Sequence, residues 1–288
     1  MTIKVPYIFF LATIFIHFYG NVILAQENLK YYIEFTDKNH NSYSLDSPED
    51  FLSTRSIERR IRQNIELSEE DLPVSHYYLD SLKNLGIQII HKSNWLNLAT
   101  LSSNDSLLMD TLDNLDFVKS VTQITFTQEN NEIDLLKHDL EYFEKQHTNS
   151  PTNFSSRNNF YDYGESFNQI AIHNGHLLHN EGYRGAGILI AITDSGFEKA
   201  DFFDVFSDLF NENRILATKN FIDMQDYVYS YHDHGMIVLS VLAGKSDGNL
   251  IGSAPESEYL LLISEDVRSE TIIEELNWIA AAEFADSA

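Results

Sequence analysis

The stretch Gly187-Ile188-Leu189-Ile190-Ala191-Ile192-Thr193-Asp194-Ser195-Gly196-Phe197 constrains the fold of this chain more than any other. Its apolar run, 188–192, follows neither a helical nor an alternating period, and it is bounded by Gly187 and by Asp194-Ser195-Gly196. That pattern predicts a strand buried on both faces, in the middle of a parallel sheet. Open α/β sheets build their sites in the crevice beyond the carboxyl ends of such strands, which makes Asp194 the first candidate for chemistry.

A second candidate follows 40 residues on. Tyr231-His232-Asp233-His234-Gly235-Met236 precedes Ile237, Val238, Val241 and Leu242, which form one face of a helix that stops at Ala243-Gly244. His234 therefore opens a helix, beside a glycine that lets another segment approach closely. An imidazole titrates near neutral pH and suits a general base, provided a carboxylate holds its tautomer, and Asp194 can be that partner. Two other readings stand beside this one: His232 and His234 as metal ligands, and His234 as a mere helix cap, since His-Gly alone is weak evidence.

The remaining sequence sets the frame. The first 25 residues carry one charge, Lys4, with an apolar segment over 5–19 and Ala25 before Gln26, the layout of a cleaved signal peptide. The segment is short for a membrane span, so no membrane attachment is expected after cleavage, and the localisation expected is secreted or cell surface. Absence of cysteine excludes disulfides, thiolate metal sites and a Cys nucleophile. A net charge of -25 argues against a nucleic-acid partner.

Residues 26–124 read as strand (31–35), helix (48–63), helix (75–85, stopped by Gly86), strands (87–91 and 96–101), helix (103–115) and strand (117–124). That is the split βαβ order of a ferredoxin-like α+β unit with an extra helical insert. The basic cluster Arg55, Arg59, Arg60 and Arg62 is expected to be a solvated helix face rather than a docking surface. Residues 125–160 turn polar, with a helical patch at 133–143, and read as an exposed linker.

Residues 161–288 read as α/β. A helix is expected over 166–180, capped by Ser166, stopped by Gly182, and buried through Phe167, Ile170, Ala171, Leu177 and Leu178. His173, His176 and His179 on it invite a metal reading, but a spacing of three drifts around a helix and solvent-facing histidines are preferred. A short helix or turn at 202–209, strands at 214–221 and 259–263, and a helix at 271–285 complete an alternating order that predicts a mostly parallel sheet. Thr271 and Glu274 fit a capping box, with Ile273, Leu276, Ala280 and Phe284 facing inward. The acidic residues over 256–288 are expected on a solvated outer face.

At this point the chain resembles the subtilisin-like serine proteases. Ile190-Ala191-Ile192-Thr193-Asp194-Ser195-Gly196 is similar to that family's Asp motif, and His234-Gly235-Met236-Ile237-Val238-Leu239-Ser240 to its His motif, with Met236-Ile237 where the family usually has Thr-His. Gly252-Ser253-Ala254-Pro255 matches the Gly-x-Ala-Pro segment that follows. The segments 163–170 and 277–285 resemble secreted subtilases of Bacteroidetes-type bacteria in particular.

The resemblance implies an incomplete subtilisin-like parallel sheet flanked by helices over 161–288, and an inhibitory propeptide over 26–124 docked on that catalytic portion. It implies hydrolysis of protein or peptide substrates by a serine endopeptidase, with Asp194 orienting His234 and no cofactor or metal. The chain contains no Gly-Thr-Ser, the family's nucleophile motif, so the 288 residues read as the N-terminal part of a longer enzyme and are expected to be inactive by themselves. In the family the residue at Ser195 is small and without a catalytic role, so it is not taken as a substitute. The alternative from another class is a non-catalytic secreted propeptide and remnant, acting as an inhibitor or binding module.

Overall fold

The structure, a computed structural model, describes residues 29–103, 111–124, 158–268 and 271–288. The expected signal peptide, nearly all of the linker with its patch at 133–143, and most of the helix expected over 103–115 lie outside the described residues.

The first unit comprises β1 (Leu29–Phe35), α1 (Thr54–Gln63), α2 (His76–Asn84), β2 (Gln88–Ser93), β3 (Leu98–Ser103) and β4 (Val118–Ile124). Its strands lie in the order β2-β3-β1-β4, antiparallel throughout, which is the arrangement of the split βαβ unit. Alternation in β1 sends Tyr31, Ile33 and Phe35 into a core shared with Tyr78, Leu82 and Leu112, while Tyr32 points to the opposite face. The helix expected over 48–63 is shorter. Pro48–Asp50 forms a separate 3-10 turn, and α1 begins where the Ser53 hydroxyl accepts the Ser56 amide at 3.0 Å.

The second unit comprises α3 (Phe167–Ala171), α4 (Gly175–Asn180), β5 (Leu189–Asp194), α5 (Ser207–Asn211), β6 (Ile215–Asn220), α6 (His234–Ala243), a small hairpin of β7 (Lys245–Ser246) and β8 (Leu250–Ile251), then β9 (Glu258–Ile263) and α7 (Ile272–Ser287). The larger sheet is parallel, in the order β5-β9-β6. One expectation is corrected here: among the described residues β9, not the strand at 188–192, occupies the middle. Tyr259, Leu261 and Ile263 pack on the α6 side and Leu260 and Leu262 on the α7 side, whereas Ile188 is 57% exposed. An unbroken apolar run marks β9 and β5 alike, and pairing on both edges separates them.

The helix expected over 166–180 is two helices. Asn174 takes a left-handed conformation at φ 56°, and a Cβ at Gly175 would sit 2.7 Å from Ile170 Cδ1. The break rotates the faces, so Leu177 and Leu178 are about half exposed and His179 is buried. His179 Nε2 lies 3.1 Å from the Ser253 carbonyl and therefore carries the proton, leaving Nδ1 to accept from the Tyr163 hydroxyl at 2.8 Å. Ser166 donates its hydroxyl to the Tyr163 carbonyl and accepts the Ile251 amide instead of capping a helix.

Helix α7 lies between the two sheets. Ala280, Ala281 and Phe284 face the parallel sheet, and Ile273 and Leu276 pack under Leu98, Ile124 and Tyr32 of the first unit. The Thr271 side chain makes no capping hydrogen bond, contrary to the capping box expected there. Glu265 and Glu275 are exposed as expected, but three other acidic residues are not on a free outer face. Glu283 is buried against the β2–β3 turn, Asp286 binds Arg59 and Arg60, and Glu258 binds Arg55. The basic cluster of α1 is accordingly a docking surface: Arg60 is 6% exposed, and Ser53, Ser56 and Arg59 donate to the carbonyls of Ser287 and Asp286 at the C-terminal end of α7. Cationic and polar donors satisfy carbonyls that a helix end leaves without intrahelical partners.

His91 is buried in the same seam, its ring 5.9 Å from that of Phe221. Burial pushes its imidazole down to about 4, against partial opposition from the Asn277 side chain and the Phe221 main chain, while Lys30 and Lys219 push the same way as burial. The unfolded chain binds this proton below about 6.5 and the folded chain only below about 4. Stability from His91 is therefore complete above the upper value and is lost as pH falls through the window, to a ceiling of about 3 kcal/mol. Glu283, raised chiefly by burial, works oppositely, gaining stability as pH falls toward the carboxylate range. We expect the urea midpoint to fall between about pH 7 and pH 5, and the fall to shrink in His91→Leu. An unchanged pH slope in that variant would show that His91 does not set it.

Candidate active site

Parallel pairing of β5 with β9 runs from Leu189 opposite Glu258 to Asp194 opposite Ile263, so Asp194 sits at the carboxyl end of the sheet. Its carbonyl accepts the Ser264 amide at 3.0 Å, which fixes the strand end, and the side chain is buried. Helix α6 brings His234 to the same place. Its entry is possible because residue 235 is glycine: a Cβ there would lie 2.5 Å from the Gly196 carbonyl oxygen and 2.9 Å from Asp194 Cβ.

His234 Nδ1 lies 2.9 Å from Asp194 Oδ2 and 3.0 Å from Oδ1. An ionised carboxylate only accepts, so Nδ1 carries the proton and Nε2 keeps a lone pair. The imidazole side chain is 56% exposed, which leaves Nε2 open to a reacting group, while the Asp194 side chain is only 8% exposed. A buried acceptor behind an exposed imidazole is the arrangement that holds one tautomer ready to take up a proton.

Around this pair lie residues that sequence spacing does not reveal. Asp194 Oδ1 also accepts the Ser195 amide at 2.7 Å and approaches the Ser195 hydroxyl at 3.1 Å. The Ser195 hydroxyl thus engages the carboxylate side of the pair. His232 Nδ1 approaches the same hydroxyl at 3.3 Å and the His234 amide at 3.2 Å. With Nδ1 of both histidines engaged, a metal reading of the two would rest on their Nε2 atoms alone. Glu265, two residues past β9, has its carboxyl pushed up first by desolvation and then by the charge of Asp194, with His234 drawing it down. It faces the pair electrostatically, and the only hint of it in the sequence is its position just beyond a buried strand.

Three comparisons bear on these features. Residues 30–138, which include the first unit, match the family model of the peptidase S8 propeptide domain of Bacteroidota. A search of curated proteins finds no match. Among solved structures, the epidermin leader peptide processing serine protease EpiP of Staphylococcus aureus aligns in two forms, at 13% and 12% identity over 87% and 89% of this chain, with TM-scores of 0.44 and 0.40. Fervidolysin from Fervidobacterium pennivorans, a keratinolytic enzyme related to subtilisin, aligns at 13% identity over 83% of this chain with a TM-score of 0.42. This chain covers 46%, 47% and 30% of those three, less than half of each.

Proposed function

We propose that a chain carrying an S8 propeptide domain over residues 30–138 is part of a secreted subtilisin-like serine endopeptidase precursor, with Asp194 and His234 as two members of its catalytic triad. The single observation that carries this reading is the His234 Nδ1 contact with both oxygens of a buried carboxylate at the end of a parallel strand. In the proposed reaction His234 Nε2 takes the proton of a serine hydroxyl as that oxygen attacks the peptide carbonyl. The imidazolium, steadied by Asp194, then returns the proton to the leaving amine. Ser195 is not that nucleophile, because its hydroxyl faces Asp194 and His232. The serine is supplied by a segment outside these 288 residues.

The docked α+β unit supports a second element of the reading, a propeptide held on the catalytic portion through α7 until the linker is cut. Labelling the product of the whole reading frame with a serine-directed phosphonate, and following casein hydrolysis, tests the reading. Labelling and hydrolysis are expected, with hydrolysis abolished in His234→Ala. Undiminished hydrolysis in that variant refutes it. Absence of hydrolysis together with inhibition of another subtilisin-like protease by this chain would favour a non-catalytic inhibitor.

A further inference from the structure

We infer that His232 is a positioning residue for the Asp194–His234 pair, an inference that rests on the proposed catalytic reading of that pair. Nδ1 of His232 lies 3.2 Å from the His234 main-chain nitrogen and 3.3 Å from Ser195 Oγ. An amide only donates, so this Nδ1 holds a lone pair and the imidazole proton resides on Nε2. Ser195 Oγ is in turn 3.1 Å from Asp194 Oδ1. The ring therefore accepts from the first residue of α6 while the same nitrogen stands against the Ser195 hydroxyl of the loop that leaves β5.

The tie is built into the main chain. A Cβ at Gly196 would lie 2.5 Å from both the nitrogen and the carbonyl oxygen of His232, so only glycine lets the two segments meet. The His232 carbonyl accepts the Glu198 amide at 3.2 Å, which holds residue 232 against the loop from a second direction. The His232 side chain is 25% exposed where that of His234 is 56% exposed, so it supports the pair rather than lining the open side. His234 itself is anchored to the carboxylate through Nδ1 alone, and its ring follows any rotation of the first turn of α6. Fixing the His234 amide fixes that turn.

The test combines side-chain and amide 15N NMR on this chain with kinetics on the active protease that contains it. His232→Asn keeps an acceptor near the place of Nδ1, and His232→Phe removes it. In the wild type and the Asn variant the His234 proton stays on Nδ1 and the residue 234 amide stays protected from exchange. In the Phe variant the amide exchanges about tenfold faster or more and the Nδ1 proton signal is lost. In the protease, His232→Phe lowers kcat by about 10- to 100-fold with KM within about twofold, the loss expected when a reacting group is displaced by about an ångström. The Asn variant recovers kcat to within about threefold. A Phe variant that keeps the His234 tautomer, the amide protection and kcat overturns the inference. If the Phe side chain prevents folding, His232→Ala gives the same readouts without the bulk. The NMR arm needs no nucleophile, so its success beside an inactive protein would remove the proposed function and leave the positional tie intact.

Discussion

On the proposed reading, Asp194→Asn is expected to lower kcat of the full-length product by about 10⁴-fold with little change in KM, a loss near 5 kcal/mol of transition-state stabilisation. The hydrogen bonds around Asp194 dictate the direction. Oδ1 accepts the Ser195 amide at 2.7 Å, so an asparagine must place its carbonyl oxygen there and its NH₂ where Oδ2 now lies, 2.9 Å from His234 Nδ1. An NH₂ group donates, so at the nearer position Nδ1 meets a donor, and the tautomer with Nδ1 accepting and the proton on Nε2 is favoured. The base is then occupied by a proton at the atom that has to receive one. Kinetics on a peptide substrate, with thermal melting to confirm that the variant folds, measure the effect. A loss smaller than about tenfold would mean that Asp194 does not set the tautomer.

Most of the secondary structure was legible because it depends on local period and punctuation. Gly86, at φ 83°, ends α2 where the sequence places a stop, and Asp194 and His234, singled out by the two motifs, meet across 40 residues of chain. Illegible were the features decided by what lies across a gap. The apolar run before Asp194 and the one over β9 look alike, and only the pairing order tells which strand has a neighbour on each side. The helix expected over 166–180 splits because an asparagine adopts a left-handed turn that its neighbours' helical spacing does not record. His232 and Ser195 escaped notice as partners of the pair because their roles depend on atoms within hydrogen-bond reach, not on spacing. The arginines of α1 and the acids of α7 each look like a solvated face when read alone. Arg59 and Arg60 meet Asp286 there, and charge complementarity over more than 200 residues of separation leaves no periodic trace.

The same seam sets the second large effect: Glu283→Ala destabilises the docking of the first unit on α7 by about 3–5 kcal/mol. The Glu283 carboxylate accepts the Ser93 hydroxyl and the amides of Asn94 and Trp95, the latter two at 2.7 and 3.1 Å, and so closes the turn between β2 and β3. Removing it strands three donors in a buried seam, and each buried donor without an acceptor costs about 1–3 kcal/mol. Arg60 is the companion case at the other end of the seam. Its guanidinium joins Asp71, at 2.9 Å, to Asp286, so Arg60→Ala leaves Asp71 without its cation and Asp286 with Arg59 alone. Urea unfolding of the whole chain, with amide exchange in β3 as a local probe, measures both losses. Glu283→Gln should retain part of the stability, since one oxygen can still accept. The cycle with Ser93→Ala separates the carboxylate's contact with the turn from its packing, and a coupling above about 1 kcal/mol is expected there. Additive losses in that cycle would assign the stability of the seam to Leu98, Ile124, Ile273 and Leu276 instead, and the charged partners would then fix only where α1 lands on α7.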